Sequence, residues 1–496
     1  MKVMNGTLSV ETRAAFHNAL IATVGPENVS DNEVVRATYA FDISPNDACM
    51  PEFVVKPKSV AQVQGVLKAC NEYVVPVTPI SAGVNVAGAC IPSPGGIALD
   101  LRWMDSILEI NTEAAYALVE PGVTFDKLTS ALHKVGFRSQ IPTAPGGASV
   151  MGNALMVSGE LPGRHMDPIL ALEAVLATGE IVRTGSAAVP GGSWNSPNGP
   201  YAGLTHLFCC SGTMGVVTKI AVRIYPIFED RRVVVAGFDD FGAALPFANE
   251  VLRADLCDSC IVWSYPLYKT YDITVKRDWT VEVPPELAGD ARDVPGDLPR
   301  NIVTIHMSGY HDDMEGHQKT IELLLAKFGG RLMEREAWED RIPGLFRATT
   351  QFYTEYHQPK MEHNKKYGFG KYIPWIIPSQ VSRVVEIEKM ALDKLSSDLA
   401  ARPVCYYVKA NDRGRSWVFR IYSFFDPDDR KLHAQVRQTY AEMFKWVMDK
   451  YGVAPSRHRR GQGSALERLG GYGVLLKKIK EAVDPNNIMN PGAGIF

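Results

Sequence analysis

The sequence predicts an α+β protein of two or three domains, and three observations carry that reading. From Phe53 onwards short apolar strands alternate with amphipathic helices and small-residue loops, the rhythm of a mixed sheet. After Pro226 the texture changes, and the strands and helices that follow read as two strand–helix halves on an antiparallel sheet. Past residue 452 a further helix and a glycine-rich end return the chain to its first part. The expected units are 1–225, 226–452 and 453–496, and 496 residues suffice to bury large cores.

In chain order, residues 12–24 place Phe16, Leu20 and Val24 at helical spacing. A strand at Val54-Val55 stops at Pro57, and Ser59 caps a helix with the stripe Val60, Val63, Leu67 and Cys70. A short strand (Val74, Val75, Val77), a loop (Gly83, Ala87, Gly88, Ala89) and a second strand over 97–101 follow. Residues 117–120 form a strand closed by Pro121-Gly122. Thr124 caps a helix over 125–135, with Leu128 and Leu132 inward and Gly136 as its stop. Residues 169–176 and 180–184 read as a hairpin about Thr178-Gly179, and 215–225 as a closing strand.

In the second unit, strands are expected at 231–238, 261–265, 302–309, 373–377, 405–409 and 417–423. Helices are expected at 315–328, 381–396 and 433–450, with a Pro- and Asp-rich loop over 283–300. Two strand–helix halves on one antiparallel sheet account for this order. The returning helix is expected at 473–483.

Bulk properties narrow the partners. With 46% apolar and 22% charged residues and a net charge of −3, nothing calls for nucleic acid or an anionic membrane. The first residues lack the apolar core of a signal peptide and no apolar run reaches membrane-spanning length, so the expected compartment is the cytoplasm. Eight cysteines are too sparse for a disulfide framework. Cys257 and Cys260 form an isolated CxxC without a second pair, and Cys209-Cys210 read as packing residues.

Three loops carry the chemistry: 76–101 (PVTPISAGVNVAGACIPSPGGIALDL), 142–153 (PTAPGGASVMGN) and 212–219 (GTMGVVTK). Small residues let backbone N–H groups approach a ligand, and successive N–H groups form a concavity for phosphate oxygens. No GxGxxG opens a helix after the first strand, so a two-nucleotide Rossmann domain is not expected.

In this order the loops resemble the FAD-binding domain of the vanillyl-alcohol oxidase / p-cresol methylhydroxylase flavoproteins. The resemblance runs through Pro79-Ile80-Ser81, Asp100, Glu120-Pro121-Gly122, Gly146-Gly147, Ser149, Gly152-Asn153, Arg183-Thr184-Gly185 and Met214-Gly215-Val216-Val217, and resumes at 482–492 (AVDPNNIMNPG). It implies a two-part FAD-binding domain with mixed sheets, covered by an antiparallel-sheet cap domain carrying helices. The expected FAD ligands are Pro79, Ser81, Ala82, Gly83, Val84, Asn85, Gly88, Pro145, Gly146, Gly147, Ser149, Gly152, Asn153 and Val217.

In that family an arginine in a Tyr-Arg-x-His setting binds the phenolate of the substrate. Arg457 of the run Arg457-His458-Arg459-Arg460 matches it, with Ser456 at the tyrosine and Arg459 at the histidine. His458 is a candidate acid/base, because imidazole titrates near neutrality. Tyr372, Trp375 and Tyr406 are candidates to line the substrate pocket from the cap. The family's acidic residue near flavin N5 is Ala144 here, and the pocket tyrosine of the first loop has no counterpart around 86–88. The flavin-linking histidine, which precedes a cap proline by five residues, has Ile373 at its place before Pro378. Non-covalent FAD is therefore expected, with Tyr372 the alternative anchor.

The expected activity is hydride transfer from the benzylic carbon of a small para-substituted phenol to flavin N5. One alternative is a 2-hydroxy-acid dehydrogenase of the D-lactate or glycolate type, with the basic run holding a carboxylate. Another is a flavin subunit that relays electrons without a substrate of its own. The related 2-hydroxy-acid dehydrogenases carry a His-rich metal motif, where this chain has RHRRGQG, so no metal is expected. The acceptor, dioxygen or an electron-transfer protein, is left open, and a homodimer or higher oligomer is the family expectation.

Overall fold

A computed structural model describes residues 9–496 except 43, 45, 86, 94, 141–143, 157–167, 200–202, 268–290, 343–344, 347–370, 373–374, 400–403, 426–428, 453–465 and 495, and omits the side chains of 156, 371–372, 375–378, 404, 411–412 and 422–425. Three sheets organise the described residues.

The first sheet is mixed. Its strands β1 (Val29–Ser30), β2 (Phe53–Val55), β3 (Val77–Ile80) and β4 (Ile97–Asp100) lie in the order β1-β2-β4-β3, parallel except for β1. Helices α1 (Val10–Val24), α2 (Glu33–Ala37) and α3 (Val60–Tyr73) accompany it. Phe16, Leu20 and Val24 of α1 meet Val63, Val66, Leu67 and Cys70 of α3 in one core, as their spacing requires. Ser59 caps α3 by accepting from the Gln62 N–H. Val74, expected in the strand, instead ends α3 in the left-handed conformation (φ 53°), so β3 starts only at Val77. An apolar run did not distinguish the helix end from the strand start.

The second sheet is antiparallel. It comprises β5 (Ile107–Asn111), β6 (Tyr116–Val119), β7 (Phe137–Ser139), β8 (Ile169–Val175), β9 (Ile181–Arg183) and β10 (Val216–Pro226). The order is β5-β6-β10-β8-β9, with β7 also pairing β10. The expected hairpin is β8–β9, and β5 and β7 are additions the sequence reading missed. Between strands lie α4 (Phe125–His133), capped by Thr124, and α5 (Val150–Met156).

The third sheet contains two copies of one strand order. The first half runs β11 (Asp230–Phe238), α6 (Phe241–Arg253), β12 (Ser259–Ser264), β13 (Asn301–Gly309), α7 (His311–Lys327) and β14 (Arg331–Leu332). The second runs β15 (Lys371–Tyr372), β16 (Trp375–Ser379), α8 (Val381–Asp398), β17 (Val404–Asn411), β18 (Ser416–Phe425) and α9 (Arg430–Tyr451). From the β12–β17 junction outward, the order is β12-β13-β11 on one side and β17-β18-β16 on the other. Each half is thus a strand–helix–strand–strand–helix unit, and the two join through their second long strands.

Helices α6 to α9 pack on one face of this sheet around Phe241, Val262, Ile305, Tyr406, Trp417 and Ile421. Tyr406, expected to line a pocket, is fully buried there, and its hydroxyl donates to Asn301 Oδ1 at 2.7 Å. Alternation along β17 gives its neighbour Tyr407, not Tyr406, to the opposite face, where it meets Trp263 with ring centroids 5.2 Å apart. That face turns towards the second sheet. Arg138 of β7 reaches Asp258 at 3.6 Å, Ser308 Oγ donates to the same carboxylate, and Arg138 stands 5.4 Å from the Tyr225 ring. The Arg138 and Asp258 side chains are only 6% and 1% exposed, so this ion pair is shielded from solvent.

The chain ends back on the first sheet. After α10 (Gly471–Val483), residues 488–490 add a short parallel pairing on β3, with Val77 N–H donating to Ile488 O and Asn490 N–H to Val77 O. This covers the edge of β3 that β4 leaves open. Among the described residues no helix is long and apolar enough to cross a membrane.

Candidate cofactor and active site

The three small-residue loops converge at the C-terminal end of β3. Two glycines set how closely. A Cβ on Gly152 would stand 2.6 Å from Ser81 Oγ, and one on Gly212 would stand 2.4 Å from Pro79 Cγ. The second and third loops therefore both touch the first where a side chain would hold them apart.

The first loop is shaped from within. Asn85 is buried, and its Oδ1 accepts from the Ala87 and Ala89 N–H groups at 2.9 and 3.1 Å. Gly88 (φ 86°) donates to Asp42 at 2.9 Å. These bonds show Asn85 and Gly88 folding the loop. The N–H groups of Ala82, Gly83 and Val84 have no acceptor among the described residues, and Val84 is 45% exposed.

The second loop lies along the start of α4. Phe125 N–H donates to Ala148 O, Asp126 N–H to Gly146 O and Val150 N–H to Val123 O. Ser149 Oγ donates to Pro121 O at 2.6 Å and accepts from Gly152 N–H at 2.9 Å, so its hydroxyl ties the loop to the first turn of α5. The Gly147 N–H has no acceptor among the described residues, and nothing lies within 4 Å of where its Cβ would be. Asn153 Oδ1 is buried without a hydrogen-bond partner there. Ala144 is buried beside the loop, and Val217 is 7% exposed on β10.

Side chains the sequence reading did not single out complete the cradle. Asn490, fully buried, donates from Nδ2 to Ala89 O of the first loop at 3.0 Å and to Ser211 O of the third at 2.7 Å. Lys480 Nζ donates to Thr213 O at 2.5 Å and Met489 O at 3.3 Å and pairs with Asp484. Burial pulls the Lys480 ammonium below the usual lysine range, against the opposing effect of Asp484. Both residues stand in or near the AVDPNNIMNPG motif, whose recurrence with the glycine loops was the available signal.

At the end of β4, Asp100 accepts from Tyr39 Oη at 2.7 Å and from the Arg102 backbone and guanidinium. Burial alone would raise the Asp100 carboxyl, but these hydrogen bonds outweigh it and hold it below the usual range. Burial and the Asp100 carboxylate push Tyr39 up to about 12.

The cradle fits a dinucleotide cofactor. Its donors are backbone N–H groups of Ala82, Gly83, Val84, Gly147 and Gly212, Asn153 adds an orphaned acceptor, and Gly83, Gly147 and Gly212 bring no side chain to it. Arg457 and His458 lie outside the described residues, as do the side chains of Tyr372 and Trp375. The backbone register pairs Tyr372 with Phe424 and Trp375 with Ile421. Cys257 and Cys260 are both thiols, 3% exposed in the helix-side core, where burial pushes the Cys260 thiol well up. Among the described residues no group of three His, Cys, Asp or Glu is placed to hold a metal ion.

Comparison with known proteins agrees with this geometry. Residues 51–185 match the family described as "FAD binding domain", and 418–493 match "FAD linked oxidases, C-terminal domain". The glycolate oxidase subunit GlcD of Bacillus subtilis is 27% identical over 95% of each chain. The 4-cresol dehydrogenase [hydroxylating] flavoprotein subunit of Pseudomonas putida is 26% identical over 97% of this chain and 96% of its own. Among solved structures, 4-ethylphenol oxidase from Gulosibacter chungangensis superposes with a TM-score of 0.84 over 99% of this chain and 98% of its own, at 20% identity. Loop geometry, domain matches and backbone agree: the chain carries an FAD-binding domain and the C-terminal domain of FAD-linked oxidases, has the fold seen in p-cresol methylhydroxylase and 4-ethylphenol oxidase, and is an FAD-dependent oxidase or dehydrogenase.

Proposed function

We propose that this enzyme oxidises a small para-substituted phenol, of the 4-alkylphenol or 4-hydroxybenzyl alcohol type, at its benzylic carbon. One observation carries the reading: two relatives matched along nearly their whole length are named for such phenols, one by sequence and one by backbone. FAD, when bound, would supply the two-electron acceptor for the hydride. The chain supplies the cradle, with Ser81, Gly83, Gly147 and Gly152 at the approach of the loops, and it orients the substrate.

Arg457 holds the phenolate, and the ionised oxygen pushes electron density through the ring towards the carbon that loses hydride. The order along the chain supports this role: in the sequence Arg457 falls between α9, the last cap helix, and α10, which carries Lys480 of the cradle. His458 serves as the acid/base, and Tyr372 and Trp375 contribute from the cap. With Ile373 where the family's linking histidine stands, FAD is held non-covalently.

A second reading is favoured by the GlcD match and by Ala144 and Ser456, which remove an acid and a tyrosine expected at a phenol site. In that reading the substrate is a 2-hydroxy acid and the same arginine binds its carboxylate. Anaerobic titration of the flavin spectrum separates the two. Bleaching by 4-alkylphenols or 4-hydroxybenzyl alcohols is the expected result. Bleaching by D-lactate or glycolate alone overturns the phenol assignment, and bleaching by neither supports an electron-relay subunit.

A further inference from the structure

We propose that Asn490 is a positioning residue for FAD, acting through the peptide between Ser211 and Gly212. In a trans peptide the C=O and the following N–H point in opposite directions. Asn490 Nδ2 holds the Ser211 carbonyl at 2.7 Å, so the Gly212 N–H faces away from Asn490. That N–H has no acceptor among the described residues, and Gly212 (φ 74°) lies against Pro79 too closely for any side chain. The same Nδ2 holds Ala89 O, while Thr78 Oγ1 donates to Asn490 Oδ1 at 3.3 Å. One fully buried side chain therefore fixes the first loop relative to the third and aims a backbone donor of the third at the cofactor. Lys480 repeats the device two residues on, by holding Thr213 O.

Asparagine suits this place for two reasons. Its φ of 39° is positive, a conformation asparagine tolerates better than most side chains, and its amide offers two donors and an acceptor at short reach. Asn490→Asp keeps the shape and the backbone tolerance but sets acceptors against two carbonyls. Asn490→Gly keeps the positive φ and deletes only the side chain.

The measurements are flavin content of the purified holoprotein, the rate of FAD release on dilution followed by flavin fluorescence, the visible bands of bound flavin, and the melting temperature. Both variants are expected to release FAD about tenfold faster or more, Asn490→Asp the faster, with shifted flavin bands and native circular dichroism. Should Asn490→Asp fail to fold, Asn490→Gly decides alone. A folded Asn490→Gly protein with wild-type flavin content, release and spectrum overturns the proposal. So does a lowered melting temperature with unchanged flavin release, which assigns Asn490 to the fold alone. The readout is flavin retention, so the outcome is independent of which substrate the enzyme takes.

Discussion

The flavin-holding sheets and the cap are built on opposite principles. In the first, segments far apart in sequence meet at main-chain groups: Val77 pairs with Met489, and the Asn490 side chain joins the carbonyls of Ala89 and Ser211. Such contacts tolerate only certain residues, because Gly96 would place a Cβ 2.1 Å from Pro76 O and Gly152 one 2.6 Å from Ser81 Oγ. In the cap, two similar halves are held by apolar side chains alternating in and out around Val262, Ile305, Trp417 and Phe419. Many residues of suitable size satisfy that demand. The first region is therefore constrained more by single residues and the third sheet more by pattern.

The sharpest way to break this comparison is at Arg457. Arg457→Ala is expected to lower turnover by about a hundred- to a thousandfold, as losing a donor to a developing or resident oxyanion does, while flavin content stays at the wild-type level. Full turnover in the variant would remove the arginine from the substrate site. Loss of flavin instead would mean that the basic run belongs to the cradle.

The next effect belongs to the cradle itself. Gly152→Val forces the second loop away from Ser81. Overpacking of this kind costs about 1–3 kcal/mol, which corresponds to about five- to 150-fold weaker FAD binding if the cost falls on the loaded site. A cap substitution of similar severity, Tyr406→Ala, should lower the melting temperature and leave FAD affinity unchanged. Equal effects of the two on flavin binding would dissolve the distinction between the regions.

The same division explains what the sequence made legible. The helix caps at Ser59 and Thr124 could be read because each answers a local hydrogen-bonding demand, and the glycine loops and the C-terminal motif because together, in their order, they resemble a known family. Val74 and Tyr406 were misplaced because both depend on register: the left-handed turn at Val74 moves the start of β3, and alternation along β17 turns Tyr406 to the helix side. Asn490 and Lys480 carried no local signal of their roles, since their partners lie 279 and 267 residues away. Ser81 was read from its loop, but only Gly152 explains why it must stand there.

The smallest expected effect tests how tightly the end of β4 is fixed. Asp100 is held below its unfolded value, so its contribution is present above about pH 3.9 and is lost as pH falls through the lower folded value. Tyr39 runs the other way. Its folded value is about 12 against the ordinary 10.0, so its contribution is complete below about pH 10 and is lost as pH rises towards 12. Tyr39→Phe removes two hydrogen bonds to charged groups, the one donated to Asp100 and the one accepted from the Arg102 guanidinium, each worth about 1.5–3 kcal/mol near neutrality. It should flatten the alkaline decline in unfolding free energy between pH 10 and 12, followed by denaturant titration across pH. Asp100→Asn should instead shrink the acid decline, leaving the remainder to other paired carboxylates such as Glu173. An alkaline decline of undiminished size in Tyr39→Phe would show that the tyrosine does not couple to Asp100. The hydrogen bond at 2.7 Å would then contribute nothing to holding the loop that follows β4.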